Sequence, residues 1–323
     1  MQNFIQIANQ LGKQKVPFLF IIDFEQQKPL IVPIKESDTS GMMFEFFCKN
    51  NLNKKPIITK PFEFSFIPME YAKYKKGFEL VKNHIQAGNS YLLNLTYPTQ
   101  INTNYNLEEL FFSAKAKYKL LLKEQFVCFS PETFVRIENN KIYSYPMKGT
   151  INANLPNAKH TLLNCKKEIA EHNTIVDLIR NDLSIVAKNI EVTKYRYLEK
   201  LNTYKGAIYQ TSSEICGELS TNWQNEIGTI LAKLLPAGSV SGAPKEKTVQ
   251  IIQQAEKQSR GYYTGVFGYF DGEYLDSAVA IRYIEKQGTK LIFRSGGGIT
   301  SQSNIDDEYN EILEKVYVPI PSI

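Results

Sequence analysis

An α+β fold suits this chain on three observations. Apolar runs bounded by Gly, Asn and Pro read as strands, and apolar residues at helical spacing mark several helices. Two further strand-like runs separated only by Asn139-Asn140 read as a hairpin. These features agree with antiparallel sheets carrying helices outside, without selecting how the sheets pack.

The 323 residues can bury a large core as one large domain or two ordinary ones. A hydrophobic fraction of 43%, with 19 Phe and 19 Tyr, excludes global disorder. The net charge of +5, from 38 Lys and Arg against 33 Asp and Glu, is mild, and the basic residues form no long block. That suits a small anion at least as well as nucleic acid, whose binding is disfavoured without a concentrated basic stripe. Cys48, Cys128, Cys165 and Cys216 form no C-x-x-C pair, and His84, His160 and His172 form no H-x-x-x-H. Neither a zinc site nor a disulfide framework is supported. Met1 to Gln10 lacks a basic start leading into an apolar run, and no segment reaches the length of a membrane span. A cytoplasmic, enzyme-sized protein is expected.

In chain order, Val16 to Phe24 and Pro29 to Ile34 read as strands, followed by a Lys/Asn/Pro-rich stretch from Lys49 to Pro61. Tyr74, Phe78, Val81 and Ile85 at helical spacing predict a helix from Tyr71 to Gln86, with Gly88 as its stop. Tyr91 to Thr96 reads as a strand and Leu107 to Ala116 as a helix. Phe126 to Glu138 and Lys141 to Tyr145 form the hairpin, since Asn tolerates the positive φ of a two-residue turn. Pairing Ile137 with Ile142 and counting back places Glu132 opposite Met147, beside Lys148. Strict alternation aims Glu132 and Lys148 at opposite faces, so a bulge or the Pro146 bend must turn one of them. Glu132 otherwise reads as an exposed strand residue.

Lys148, in Pro146-Met-Lys-Gly-Thr150, stands between a strand end and a Gly-Thr turn. Burial there pushes an amine toward its neutral, nucleophilic form, although most lysines after a strand are solvated. Thr161 to Leu183 is helical, with Ile169, His172, Val176 and Ile179 along one stripe. It carries Glu168-Ile-Ala-Glu171, whose two carboxylates face the same way. Glu308-Tyr-Asn-Glu311 repeats the arrangement on a helix that Ser303 to Asp307 can cap and that runs to about Tyr317. The two pairs can meet around Mg²⁺, or each can be a solvated helix face.

Between them, Glu191 to Leu219 is a helix or strand mixture. Pro236-Ala-Gly-Ser-Val-Ser-Gly-Ala-Pro-Lys245 is not a P-loop, and Pro244 opens a helix to about Lys257. Gly265 to Phe270, Ala278 to Ile284 and Lys290 to Arg294 read as strands, the last feeding Gly296-Gly297-Gly298. Glycines leaving a strand can offer amides to an anion or merely permit a tight turn. Arg282, inside an apolar strand, needs an anionic partner.

These stretches carry a resemblance. Ser130-Pro-Glu132, Pro146 to Thr150, Glu168 to Asp182, Ala237 to Lys245, Arg260 to Gly265, Ala280-Ile-Arg282, Gly296 to Ile299 and Glu308 to Glu311 resemble, in order, the motifs of the chorismate-utilising enzymes. That family includes anthranilate synthase component I, isochorismate synthase and aminodeoxychorismate synthase component I. Within it, Lys148 points to the aminodeoxychorismate synthase branch of 4-aminobenzoate and folate synthesis, because anthranilate synthases carry Ala there.

The resemblance implies one α+β domain over 1–323, two intertwined halves with antiparallel sheets packed face to face and helices outside. Residues 1–70 would be a shortened N-terminal part and 71–316 the family core. It implies that Glu171 and Glu311 bind Mg²⁺, with Glu168 and Glu308 as outer or water-mediated partners. Gly149, Thr150, Tyr263, Arg282, Gly296, Gly297 and Gly298 would hold chorismate, Lys148 would attack its ring, and Glu132 would be the general acid.

Three departures qualify the match. Gln210 stands where anthranilate-forming relatives carry His, and Ile151-Asn-Ala-Asn-Leu155 replaces a basic run after Gly-Thr. No Leu-Leu-Glu-Ser element is present, so control by tryptophan is not expected. No cysteine lies in a Gly-x-Cys-x-Gly elbow, so ammonia is expected from a separate glutamine amidotransferase subunit. The alternatives are anthranilate synthase, isochorismate synthase, a non-catalytic chorismate-binding subunit and, most distant, a nucleic-acid-binding module.

Overall fold

The computed structural model of the chain describes residues 1–46, 49–52, 55–203 and 206–321. Two antiparallel sheets of nine strands each form the fold. One runs Met147–Asn152, Gly206–Glu218, Lys141–Ser144, Thr133–Glu138, Leu275–Val279, Val266–Phe270, Phe18–Ile22, Leu30–Pro33, with Lys188–Thr203 beside Gly206–Glu218. The other runs Gly242–Ala243, Leu92–Thr103, Lys290–Thr300, Tyr283–Gln287, Phe126–Ser130, Tyr118–Leu122, Met42–Phe46, Lys49–Asn50, with Phe64–Ile67 beside Leu92–Thr103.

Alternation along the strands decides what each face covers. Leu19 and Ile21 share the core between the sheets with Phe44, Phe46 and Phe267. The Phe46 and Phe267 rings meet there at 5.5 Å. Phe18, Phe20 and Ile22 face the other way, onto Phe4 and Ala8 of the Gln2–Lys13 helix and Ile227, Ile230 and Leu231 of the Ile227–Leu234 helix. On the second sheet, Leu93, Leu95 and Tyr97 lie under Tyr74, Phe78 and Val81. The α+β reading and the face-to-face sheets therefore hold.

The Tyr71–Gln86 helix has the expected bounds, and Gly88 follows it at φ +74°. Ile142 pairs with Ile137, and Asn139 and Asn140 both take positive φ. Other expectations need correction. Phe126 to Glu138 is not one strand: Phe126–Ser130 belongs to one sheet and Thr133–Glu138 to the other, because Pro131 interrupts pairing. Ala278 to Ile284 divides likewise into Leu275–Val279 and Tyr283–Gln287, leaving Arg282 in the crossing rather than inside a strand.

The 161–183 helix is broken at Cys165 into Ala158–Asn164 and Lys166–Ser184. Among the described residues, Glu191 to Leu219 holds no helix, only the paired strands Lys188–Thr203 and Gly206–Glu218. The Leu107–Ser113 helix is shorter than expected and the Leu92–Thr103 strand longer. The last helix, Ile305–Glu314, also ends earlier, and Asn304 alone caps it by accepting from the Asp306 and Asp307 amides. The Gln2–Lys13 helix was not anticipated, although Phe4 and Ala8 sit one turn apart on its buried face. Cys48 and part of the Lys49 to Pro61 stretch lie outside the described residues.

Candidate active site

Two strands pass from one sheet to the other at neighbouring points. The first crossing holds Glu132 and the second Arg282. The Val279 amide donates to the Glu132 carbonyl at 3.2 Å, and the Phe129 amide to the Arg282 carbonyl at 3.1 Å. Arg282 takes φ +52°, a backbone state rare outside glycine, so its side chain leaves the chain in a direction an ordinary strand would not allow. Its guanidinium stacks on the Tyr317 ring at 5.2 Å, and the Glu132 carboxyl is the anionic group that feels its charge.

A cavity of about 1180 Å³ opens over these crossings. Glu132, Lys148, Gly149, Thr150, Glu168, Glu171, Tyr263, Arg282, Gly296, Gly298, Glu308 and Glu311 all line it, which gathers the sequence-selected residues from distant segments. The counting that placed Glu132 opposite Met147 fails. The hairpin ladder stops at Tyr143 with Arg136, and Met147 pairs instead with Ser212 across a bulge that precedes Thr150. Glu132 and Lys148 are thus brought to one cavity by the packing of the sheets, not by a shared ladder.

Lys148 keeps 32% side-chain exposure at the cavity wall, with its Nζ 3.0 Å from Glu171 Oε2. Burial pulls the amine down, but Glu171, Glu311 and Glu168 outweigh it and hold Lys148 above the usual lysine value. The expectation that burial neutralises it is corrected by this carboxylate surround. Burial first, then Glu171, holds the Glu168 carboxyl above its ordinary value, and burial with Glu311 does the same for Glu308. Burial also lifts Glu311, but Lys315, Lys148 and Lys167 overcome it and hold that carboxyl low. The two E-x-x-E helices therefore face each other across the cavity. Gly149, at φ +87°, fits beneath them, since a Cβ there would lie 2.7 Å from Glu168 Oε2.

Gly296 to Gly298 do not leave a strand but lie inside Lys290–Thr300, opposite Thr96, Leu95 and Asn94. The neighbouring Tyr283–Gln287 strand ends opposite Arg294, so this edge is open beyond it. The Thr96 and Asn94 amides point away from the glycines, to Glu256 and to the Ser241 carbonyl. Their partners Gly296 and Gly298 therefore turn their own amides to the open edge, while Gly297 is paired into the ladder. Gly296 and Gly298, and not Gly297, line the cavity. A Cβ on Gly298 would lie 3.8 Å from Lys148 Nζ.

Tyr263 is buried, and burial pushes its hydroxyl up to about 12, so it stays protonated. Gln210 sits across from Thr150 with Nε2 2.8 Å from Met147 Sδ, beside the lysine motif. His172 is fully buried, 2.7 Å from Ser213 Oγ, and burial with Arg196 pushes it down to about 4. Its ring also meets Tyr195 edge-on at 5.9 Å.

Sequence reasoning gave no role to several residues that shape the site. Lys315 donates to the Gly296 carbonyl at 2.9 Å and pairs with Glu311 one turn earlier; that spacing was the available signal. Asp182 and Lys245 form an ion pair at 2.9 Å that ties the Lys166–Ser184 helix to the Gly238–Lys245 segment. Arg260, buried, holds Glu256 and the carbonyls of Val240 and Asn94. Ser239 lies within the Ala237 to Lys245 motif but was given no role there; its hydroxyl donates to Glu132 Oε1.

Among the described residues, no three His, Cys, Asp or Glu side chains form a preassembled metal site. The residues nevertheless fit a hard cation that takes one or two carboxylates and completes its shell with water and substrate oxygen. Four carboxylates from two helices line one cavity, and burial, with the neighbouring carboxylate on the same helix added to it, lifts Glu168 and Glu308.

Two antiparallel sheets with strands crossing between them and a polar cavity over the crossings describe an enzyme-like site, and comparison with known proteins gives its family. The chorismate binding enzyme family matches residues 34–321, and the chain belongs to it. It is 59% identical to the Uncharacterized PabA-like protein of Haemophilus influenzae over 99% of this chain and 97% of that one. It is 30% identical to aminodeoxychorismate synthase component 1 of Salmonella typhimurium over 77% of this chain, which spans 57% of that longer protein. Anthranilate synthase component I from Streptococcus pneumoniae superposes with a TM-score of 0.65 at 26% identity, over 79% of this chain and 59% of that one. Among the described residues, no helix is long and apolar enough to cross a membrane.

Proposed function

We propose that this chain is an aminodeoxychorismate synthase component I, converting chorismate and ammonia to 4-amino-4-deoxychorismate and water. Its relatives include both aminating synthases, so family membership does not choose between them. The observation that carries the reading is Lys148 Nζ inside the cavity, 3.0 Å from Glu171 and facing Gly298. An amine placed there can reach a bound ring, which an alanine could not.

Glu171 and Glu311 would bind Mg²⁺, with Glu168 and Glu308 behind them, and the cation supplies a positive anchor for the ring carboxylate. Arg282, Tyr263 and the amides of Gly296 and Gly298 offer donors to the second carboxylate. Once its ion pair with Glu171 opens, Lys148 gives its extra proton to water and the neutral amine bonds to ring carbon 2. The double bonds shift and the carbon 4 to oxygen bond breaks, with Glu132 giving the departing hydroxyl a proton so that it leaves as water. Ammonia then bonds to carbon 4, the bond to Lys148 breaks, and the proton shed by the new amine restores Glu132.

A separate glutamine amidotransferase would supply the ammonia, and ammonium salts would replace it. Cys128 is buried with its thiol pushed well up, which suits packing and not a glutaminase nucleophile. The test is mass spectrometry of the product from chorismate, ammonium and Mg²⁺. An amine that retains the enolpyruvyl group, lost in Lys148→Ala, is expected; anthranilate with pyruvate, or isochorismate, would reject the reading.

A further inference from the structure

We propose that Ser239 is a positioning residue that fixes which oxygen of Glu132 presents a proton to the cavity, an inference that rests on Glu132 being the general acid. Ser239 donates its hydroxyl to Glu132 Oε1, while among the described residues no donor reaches Oε2. A carboxylic acid carries one proton, and an oxygen already accepting from a hydroxyl is the poorer place for it. The proton therefore resides on Oε2, the oxygen left for a substrate.

The mount is rigid on both sides. Ser239 stands in the single turn Gly238–Val240, where Ser241 Oγ donates to the Ala237 carbonyl at 2.8 Å. Arg260 Nη1 donates to the Val240 carbonyl at 2.8 Å, and the Asn94 amide to the Ser241 carbonyl at 2.9 Å. Gly238 lies against the Lys166–Ser184 helix so closely that a Cβ would meet Asp182 Oδ2 at 2.7 Å, and Lys245 fixes that carboxylate. Glu132 is held in turn through its carbonyl by Val279 and its amide by Ser130 Oγ. The charged groups facing it are Arg282 and Lys315, which favour its ionised form, as the Ser239 hydroxyl also does. Burial opposes all three and holds the acid above its ordinary value.

Steady-state kinetics with chorismate, ammonium and Mg²⁺ on Ser239→Ala, Ser239→Thr and Glu132→Gln test this, alongside a ¹³C NMR titration of the Glu132 carboxyl. Ser239→Ala should lower kcat about tenfold with KM changed less than about twofold, in keeping with loss of one hydrogen bond to an ionisable group. The alkaline limb of kcat and the Glu132 titration should both move to higher pH, and Ser239→Thr should restore both. An unchanged kcat, limb and titration in a folded Ser239→Ala, with Glu132→Gln inactive, overturns the positioning role and leaves the acid in place. A fully active Glu132→Gln removes the acid and this inference together.

Discussion

The Glu132 and Arg282 carbonyls accept hydrogen bonds from each other's strand crossings, Glu132 from Val279 and Arg282 from Phe129. An acid and a guanidinium from segments far apart in sequence are thereby locked at one point between the sheets. Arg282→Lys keeps the charge but loses the planar fork and the Tyr317 stack. It should raise KM for chorismate by roughly ten- to a hundredfold, the worth of a charge-assisted hydrogen bond or two, with kcat less affected.

Burial holds the Glu132 carboxyl above the ordinary range, so folding favours its protonated form. Below the usual glutamate value both folded and unfolded states are protonated, and the group is neutral for stability. As pH rises past that value the unfolded state ionises first, and the folded state progressively loses stability until the raised folded value is passed. Glu132→Gln should therefore match the wild type in thermal unfolding at low pH and exceed it at neutral pH. A difference in melting temperature that stays constant from pH 3 to pH 8 would contradict this.

Gly149 offers a test of the carboxylate arrangement. Its φ of +87° strains any side chain, and a Cβ there would have to push the Glu168 carboxylate aside. Gly149→Ala should cost about 1–3 kcal/mol in urea unfolding and reduce turnover by displacing Glu168.

If Glu171 and Glu311 take the cation, chelation should abolish turnover and added Mg²⁺ restore it. Glu171→Gln and Glu311→Gln should eliminate Mg²⁺ binding in calorimetry, whereas Glu168→Gln and Glu308→Gln should weaken it by about 10–100-fold. Equal affinity in all four variants would place the ion elsewhere.

Asp182 and Lys245 are both largely buried, and breaking one side leaves a charge without a partner. Lys245→Met should cost about 3–5 kcal/mol, and adding Asp182→Leu should recover much of it. Guanidinium unfolding of the two variants checks this.

How much of this was legible in the sequence varied with the range of the forces involved. The Tyr71–Gln86 helix and the Asn139-Asn140 turn follow from local spacing and backbone preference, and both lie where expected. Glu168, Glu171, Glu308 and Glu311 could be paired on their own helices and offered as one cation site, yet the spacing left each pair equally readable as a solvated face, because their meeting depends on tertiary packing. Glu132 was placed by extending a ladder that stops at Arg136 and Tyr143, where Lys141–Ser144 gives way to a bulged strand paired elsewhere, and sheet switching leaves little local trace. The charge on Lys148 was misjudged because burial was visible in prospect and the three carboxylates around it were not.

The Phe18–Ile22 strand lies between Leu30–Pro33 and Val266–Phe270. During synthesis its first partner emerges almost at once, but its second is among the last strands made, on the order of tens of seconds later at ~5–20 residues per second. Until then Phe18 to Ile22 presents an unpaired apolar edge that can pair with another chain.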